Sequence, residues 1–208
     1  MTNQHPVLDE RAAMCDLLLE VGPDAATWTG DWTTRDLAAH LLVRETRPDA
    51  GPGLLVGGWF ARHTESVRTS ALDKHRFEDL VDKLRNGPPR FWIGKLKPDF
   101  DVHEWFVHHE DVRRPNGRGE RTDLGPLDDA LWTSLDRWGP MLTRSLGIGV
   151  ELRTPDGRNR TARSGETTVV LTAAPGELML RLFGRPVEVD IDGDDAAVER
   201  FTTADLGL

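Results

Sequence analysis

A single cysteine, Cys15, stands among 208 residues. That excludes an internal disulfide framework and any zinc site built from several thiolates. Met14, Leu18 and Leu19 accompany it at helical spacing, which makes it a small core residue rather than a reactive thiol. No apolar run approaches the ~20 residues a membrane-spanning helix needs. The opening MTNQHPVLDERAAM lacks the basic and then apolar layout of a secretory signal, so a soluble, cytoplasmic protein is expected. Tyrosine is absent, and lysine is confined to Lys74, Lys83, Lys95 and Lys97. The 26 basic residues face 35 acidic ones, and the resulting net charge of −9 argues against nucleic acid or an anionic membrane as partner.

What is present is the composition of a globular chain, 38% hydrophobic and 29% charged, long enough for one large core or two small ones. The first two thirds carry helical periodicity. Residues 8 to 21 place Leu8, Ala12, Cys15, Leu18 and Leu19 near one stripe and stop at Gly22-Pro23. In WTTRDLAAHLLVRE, Thr33 followed three residues later by Asp36 is a capping-box pattern with Thr33 as N-cap. Further helices are expected from Leu54 to about Ser70, from Phe77 to Arg85, from about Asp99 to Arg113 and over residues 126 to 146. The last of these carries Leu127, Leu131, Leu135 and Trp138. After Gly147-Ile148-Gly149 the period changes. VELRTPDGRNRTARS alternates around a Pro-Asp-Gly turn, and TTVVLTA is β-branched, so both are expected to be strands. PGELMLRLFGRP is a short helix with Gly184 just past its end; VEVDIDGD alternates again, and AAVERFTTADL closes as a helix. The expected organisation is mainly α with an α+β appendage: a helical bundle over 1–147 and a small α/β domain over 148–208.

The chemistry concentrates in HEWFVHHEDVRRP, residues 103–115, with three histidines and three acids. On a helix only residues three or four apart meet. Glu104 and His108 satisfy this, and Asp111 follows at i+3, whereas His103 and Glu110 are too far apart along the axis to share an ion. One carboxylate and one imidazole do not complete a mononuclear site, which takes three protein ligands and an open position. His40, beside Leu37 and Leu41, is the best third ligand. His63, in an apolar row with Trp59 and Val67, is its rival. Glu104 and His108 could equally be an intrahelical pair worth ~0.2–0.5 kcal/mol. Asp111 could fix the His108 ring from behind or pair with Arg114. Arg44, one turn after His40, could hold a substrate carboxylate or make a surface ion pair. The tryptophans, Trp59, Trp92, Trp105, Trp132 and Trp138 among them, read as core.

WTTRDLAAHLLVRE followed by EWFVHHEDVRR resembles the DinB-like metal-binding four-helix bundles, and within them the mycothiol-dependent maleylpyruvate isomerase family of actinobacteria. ELMLRLFGRPVEVDIDGDDAAVERF is similar to that family's sterol-carrier-like C-terminal domain. The resemblance implies a divalent metal, usually zinc, held by His40, Glu104 and His108, with mycothiol as thiol cofactor. It implies an isomerase or S-transferase acting on a small electrophilic substrate. Arg44 and Arg185 would serve substrate or thiol binding, with Arg185 approaching from the second domain, and Asp111 would support His108. The expected partners are therefore small molecules, with no nucleic acid or membrane, and a monomer. The alternative is a non-catalytic metal-binding protein of the same fold, its metal closed by a fourth ligand such as His63 or Asp111.

Overall fold

The computed structural model describes residues 5–46, 75–87 and 102–206. The expected helix from Leu54 to Ser70, with Trp59 and His63, lies outside the described residues, as does Trp92. Among those described, seven helices and one four-stranded sheet make a mixed α+β fold that is mainly helical. None of these helices is long and apolar enough to cross a membrane. The chain divides into two compact units, residues 1–120 and 121–208.

The first unit holds α1 (Pro6–Val21), α2 (Thr34–Thr46), α3 (Phe77–Asn86) and α4 (Val102–Arg113). Pro6 sits in the first turn of α1, where a fixed φ and a missing N–H cost nothing. The buried face of α1 is Val7, Glu10, Met14, Cys15, Leu17 and Leu18. Leu8 and Leu19 are 52% and 44% exposed, so the helix is rotated away from the stripe drawn through them. The reason is a polar residue turned inward: Glu10 meets His109 of α4 at 2.8 Å. Helix α3 follows the simple apolar rule, burying Phe77, Leu80, Val81 and Leu84 at i, i+3, i+4 and i+7. Arg11 links the four helices. Its Nε donates to the Leu84 carbonyl at 2.5 Å, its Nη2 pairs with Glu45 at 2.5 Å, and its guanidinium lies 4.6 Å from the Trp105 ring centroid.

The second unit contains α5 (Pro126–Leu142), β1 (Gly149–Arg153), β2 (Asn159–Arg163), β3 (Thr168–Thr172), α6 (Pro175–Leu182), β4 (Asp190–Gly193) and α7 (Asp195–Thr202). The strand order is β2-β1-β3-β4, with β1 parallel to β3 and the outer pairs antiparallel. The Pro-Asp-Gly hairpin forms where expected, with Gly157 at φ 93. The inward-facing Val150, Leu152, Val169 and Leu171 are fully buried with Leu131, Leu135 and Phe201 of the helices. Helix α6 ends in a Schellman arrangement: Arg185 N–H donates to Leu180 O at 2.9 Å and Gly184 N–H to Arg181 O at 3.0 Å, with Gly184 at φ 77.

Two boundaries differ from the sequence reading. Helix α5, counted with the bundle when the boundary was drawn at 147/148, packs on β2 and α6, and the units part after Glu120. A Cβ added to its Gly139 would stand 3.1 Å from Ala162 Cβ of β2, so the missing side chain lets helix and sheet approach. Periodicity identifies a helix but not the surface that receives it. The strand expected at VEVDIDGD pairs with β3 only from Asp190 onward, and Val187 to Val189 run outside the ladder.

Candidate metal centre

The N-terminus of α2 is set by a complete capping box. The Thr33 N–H donates to Asp36 Oδ2 at 3.0 Å, its hydroxyl to the same oxygen at 2.7 Å, and the Asp36 N–H reaches Thr33 Oγ1 at 3.3 Å. With its start fixed, α2 buries Leu37, Leu41 and His40 together, His40 being 7% exposed. Helix α4 is terminated by the Pro115-Asn116-Gly117 turn, where Asn116 Nδ2 donates to the Val112 carbonyl at 2.7 Å and Gly117 takes φ 76. Along α4, Glu104 and His108 project together one turn apart.

The structure brings His40, Glu104 and His108 into one cluster. Each offers a ligand atom, and the three atoms all lie within 4.8 Å of one another. Glu104 Oε1 is 3.9 Å from His40 Nε2 and 3.5 Å from His108 Nε2. The two imidazoles are 5.6 Å apart between centroids, with planes at 72°. Ligand atoms about 2.0–2.1 Å from a tetrahedral zinc stand about 3.3 Å apart, so a small contraction of the cluster matches a metal sphere.

The donor chemistry fits as well. Arg44 Nε lies 2.8 Å from Glu104 Oε1, yet no N–H is aligned with that oxygen, which is buried without a hydrogen bond. A buried carboxylate oxygen in that condition is costly unless a cation takes it. Among the described residues this group can hold a metal ion.

Electrostatics keep the Glu104–His108 pair ionised in the absence of metal. Burial by itself would raise the Glu104 carboxyl above its ordinary value, but His108, Arg44 and His40 around it outweigh burial and hold it at about 2. Burial would likewise lower His108, but Asp111 and Glu104 outweigh that and hold it up at about 9.

Behind His108 the arrangement is equally specific. Asp111, fully buried, accepts from His108 Nδ1 at 2.9 Å and from the Thr29 hydroxyl at 3.2 Å. The Asp111 carbonyl accepts the Trp28 N–H at 2.9 Å. Asp111 therefore stands on the ring edge opposite Nε2, which takes it out of contention as a fourth ligand. Arg114, its alternative partner, pairs with Glu110 at 2.5 Å, and Arg113 pairs with the same carboxylate at 2.9 Å. Trp32 lies against His40 with ring centroids 5.1 Å apart.

Sequence reasoning missed Thr29 and Trp32. Both sit in the α1–α2 connection, and no spacing rule ties a loop residue to a helix eighty positions away. Arg185 is in the second unit, where its Nη1 donates to the Phe183 carbonyl at 2.8 Å. His63 lies outside the described residues. Trp105 and Trp138 are buried, as read from sequence.

Comparison with protein-family models, with curated proteins and with solved structures finds no match.

Proposed function

We propose that His40, Glu104 and His108 hold a divalent transition metal, zinc by preference, in an enzyme that uses a low-molecular-weight thiol. The proposed reaction is isomerisation or thiol transfer on a small electrophile, with mycothiol as the thiol. One observation carries the metal: two imidazole nitrogens converge on a buried carboxylate oxygen that has no hydrogen bond. The thiol chemistry is supported by the sequence resemblance of the two helical motifs to the mycothiol-dependent isomerases, and with it we propose a DinB-like bundle and a sterol-carrier-like second domain. When bound, such an ion would ease the loss of a proton from a thiol or water in its open position and so supply a nucleophile at neutral pH.

The chain's own residues have definite parts in this reading. Asp111 accepts the Nδ1–H of His108 and so turns Nε2 toward the cluster, where its lone pair would serve an ion that displaces the second proton. Arg44 keeps Glu104 anionic, and with its side chain 27% exposed it retains N–H groups for a substrate carboxylate. The open position separates a catalytic site from a structural one. Asp111 is committed to the far edge of His108 and does not close that position.

Elemental analysis of the purified chain tests the metal. About one equivalent is expected in the wild type, and His40→Ala and His108→Ala should each lose most of it. Full occupancy in either variant overturns the ligand set. Cobalt substitution tests the thiol: mycothiol should add an intense near-ultraviolet charge-transfer band, and mycothiol blocked at sulfur should not. A cobalt spectrum unchanged by millimolar mycothiol would leave the non-catalytic metal protein as the reading.

A further inference from the structure

The second unit has a cavity of about 590 Å3, within the range of small-molecule sites. Its walls are the end of β3, the last turn of α6 and the segment leading into β4. That segment alternates. Val187, Val189 and Ile191 are half-buried, whereas Glu188 and Asp190 between them are exposed. Val187 and Val189, outside the β3–β4 ladder, line the cavity together with Ile191 of β4. They provide an apolar wall, and the exposed Glu188 and Asp190 line the same cavity at its open side.

At this cavity stands Arg181. Several half-buried arginines are matched to acids: Arg44 to Glu104, Arg113 and Arg114 to Glu110, Arg160 to Asp136. Arg181 has no carboxylate within ion-pair distance and no hydrogen-bond acceptor for its guanidinium among the described residues. One face of it lies over the buried Phe201 ring, 5.1 Å from the centroid. Burial without an acid holds its pKa below the ordinary arginine value. A fixed guanidinium without an acid, beside an apolar wall, provides the elements of a carboxylate site.

We propose that this cavity binds a small organic monoanion, its carboxylate on Arg181 and its aliphatic body along Val187, Val189 and Ile191. The preference for one charge comes from Glu188 and Asp190, which repel a second carboxylate. Nothing in this proposal depends on the metal.

The test is a titration of the full-length chain with hexanoate, followed by NMR of the valine and isoleucine methyls and the arginine side-chain N–H groups. Saturable shifts confined to Val187, Val189, Ile191 and Arg181 are expected, with a Kd of about 1 mM or tighter. Arg181→Gln should weaken binding at least about tenfold, the loss of one charge-assisted contact. Arg181→Lys keeps charge and fold, and should retain part of the affinity. Hexanamide and succinate should both bind more weakly than hexanoate, and Glu188→Gln with Asp190→Asn should recover succinate. No shifts at about 10 mM hexanoate, or binding unaffected in both Arg181 variants, would overturn the site. Equal binding of hexanamide would overturn the role of the charge. Succinate binding the wild type as well as hexanoate would overturn the monoanion.

Discussion

The two units have interiors of opposite character. The first buries Glu10, His40, His103, His109, Glu110 and Asp111 among its apolar side chains, whereas the second buries Glu177 as its single ionisable residue among those described. Charges of the second unit meet near its surface, as in Arg158 with Asp129 and Arg153 with Glu151. Burying ionisable groups costs several kcal/mol each unless partners compensate, so their presence in one interior marks a requirement other than stability. Within the first unit most of them belong to one of two sets. Glu10 with His109, and Glu110 with Arg113 and Arg114, are closed pairs whose carboxylates are answered by protein donors. The cluster of His40, Glu104 and His108 is, among the described residues, the one with a buried carboxylate oxygen that has no hydrogen bond.

The contrast can be broken most forcefully at a closed pair. Glu10→Ala strands His109 in the core and should destabilise the protein by about 3–5 kcal/mol in urea unfolding. Replacing both partners, Glu10→Met with His109→Phe, should recover most of that loss, because the pair specifies geometry more than it stabilises. In the second unit Leu171→Ala should cost about 2–5 kcal/mol by cavity formation and leave metal content unchanged.

A pH series on the metal-free chain probes the open cluster. Glu104, depressed from 4.5 to about 2, contributes stability that is complete above pH 4.5 and lost as pH falls toward 2. His108, raised from 6.5 to about 9, contributes stability that is complete below pH 6.5 and lost as pH rises through 9. Zinc competes with the proton on His108. Its addition should remove the alkaline loss, and binding at neutral pH should release a proton to a weak buffer. An alkaline limb unchanged by zinc would place the ion elsewhere.

Two smaller effects sharpen the comparison. Asp111→Asn should weaken metal binding by about 10–100-fold, through loss of ring orientation and basicity at His108. Chelator competition measures this, and circular dichroism of the metal-free variant checks that the fold is kept. Thr33→Ala removes the α2 cap and should cost about 1 kcal/mol, with metal affinity reduced less than by Asp111→Asn.

Features carried by neighbours along the chain were legible in the sequence. The Thr33–Asp36 cap, the turn at Asn116-Gly117, the Gly184 stop and the meeting of Glu104 with His108 involve residues a few positions apart, where backbone sterics and helix pitch decide the outcome. The hairpin at Pro155-Asp156-Gly157 belongs with them. Only tertiary structure decided what was long-range. Glu10 finds His109 across 99 positions, and that pairing turns Leu8 and Leu19 outward. His40 meets the α4 pair from another helix, Arg44 settles on Glu104, and Thr29 reaches Asp111 from a loop. Helix α5 belongs with the sheet because Gly139 allows it close to Ala162, a fit between two surfaces absent from either pattern alone. Local rules set where each element begins, ends and presents a face; the partner each face meets is set by packing, which depends on every other element at once.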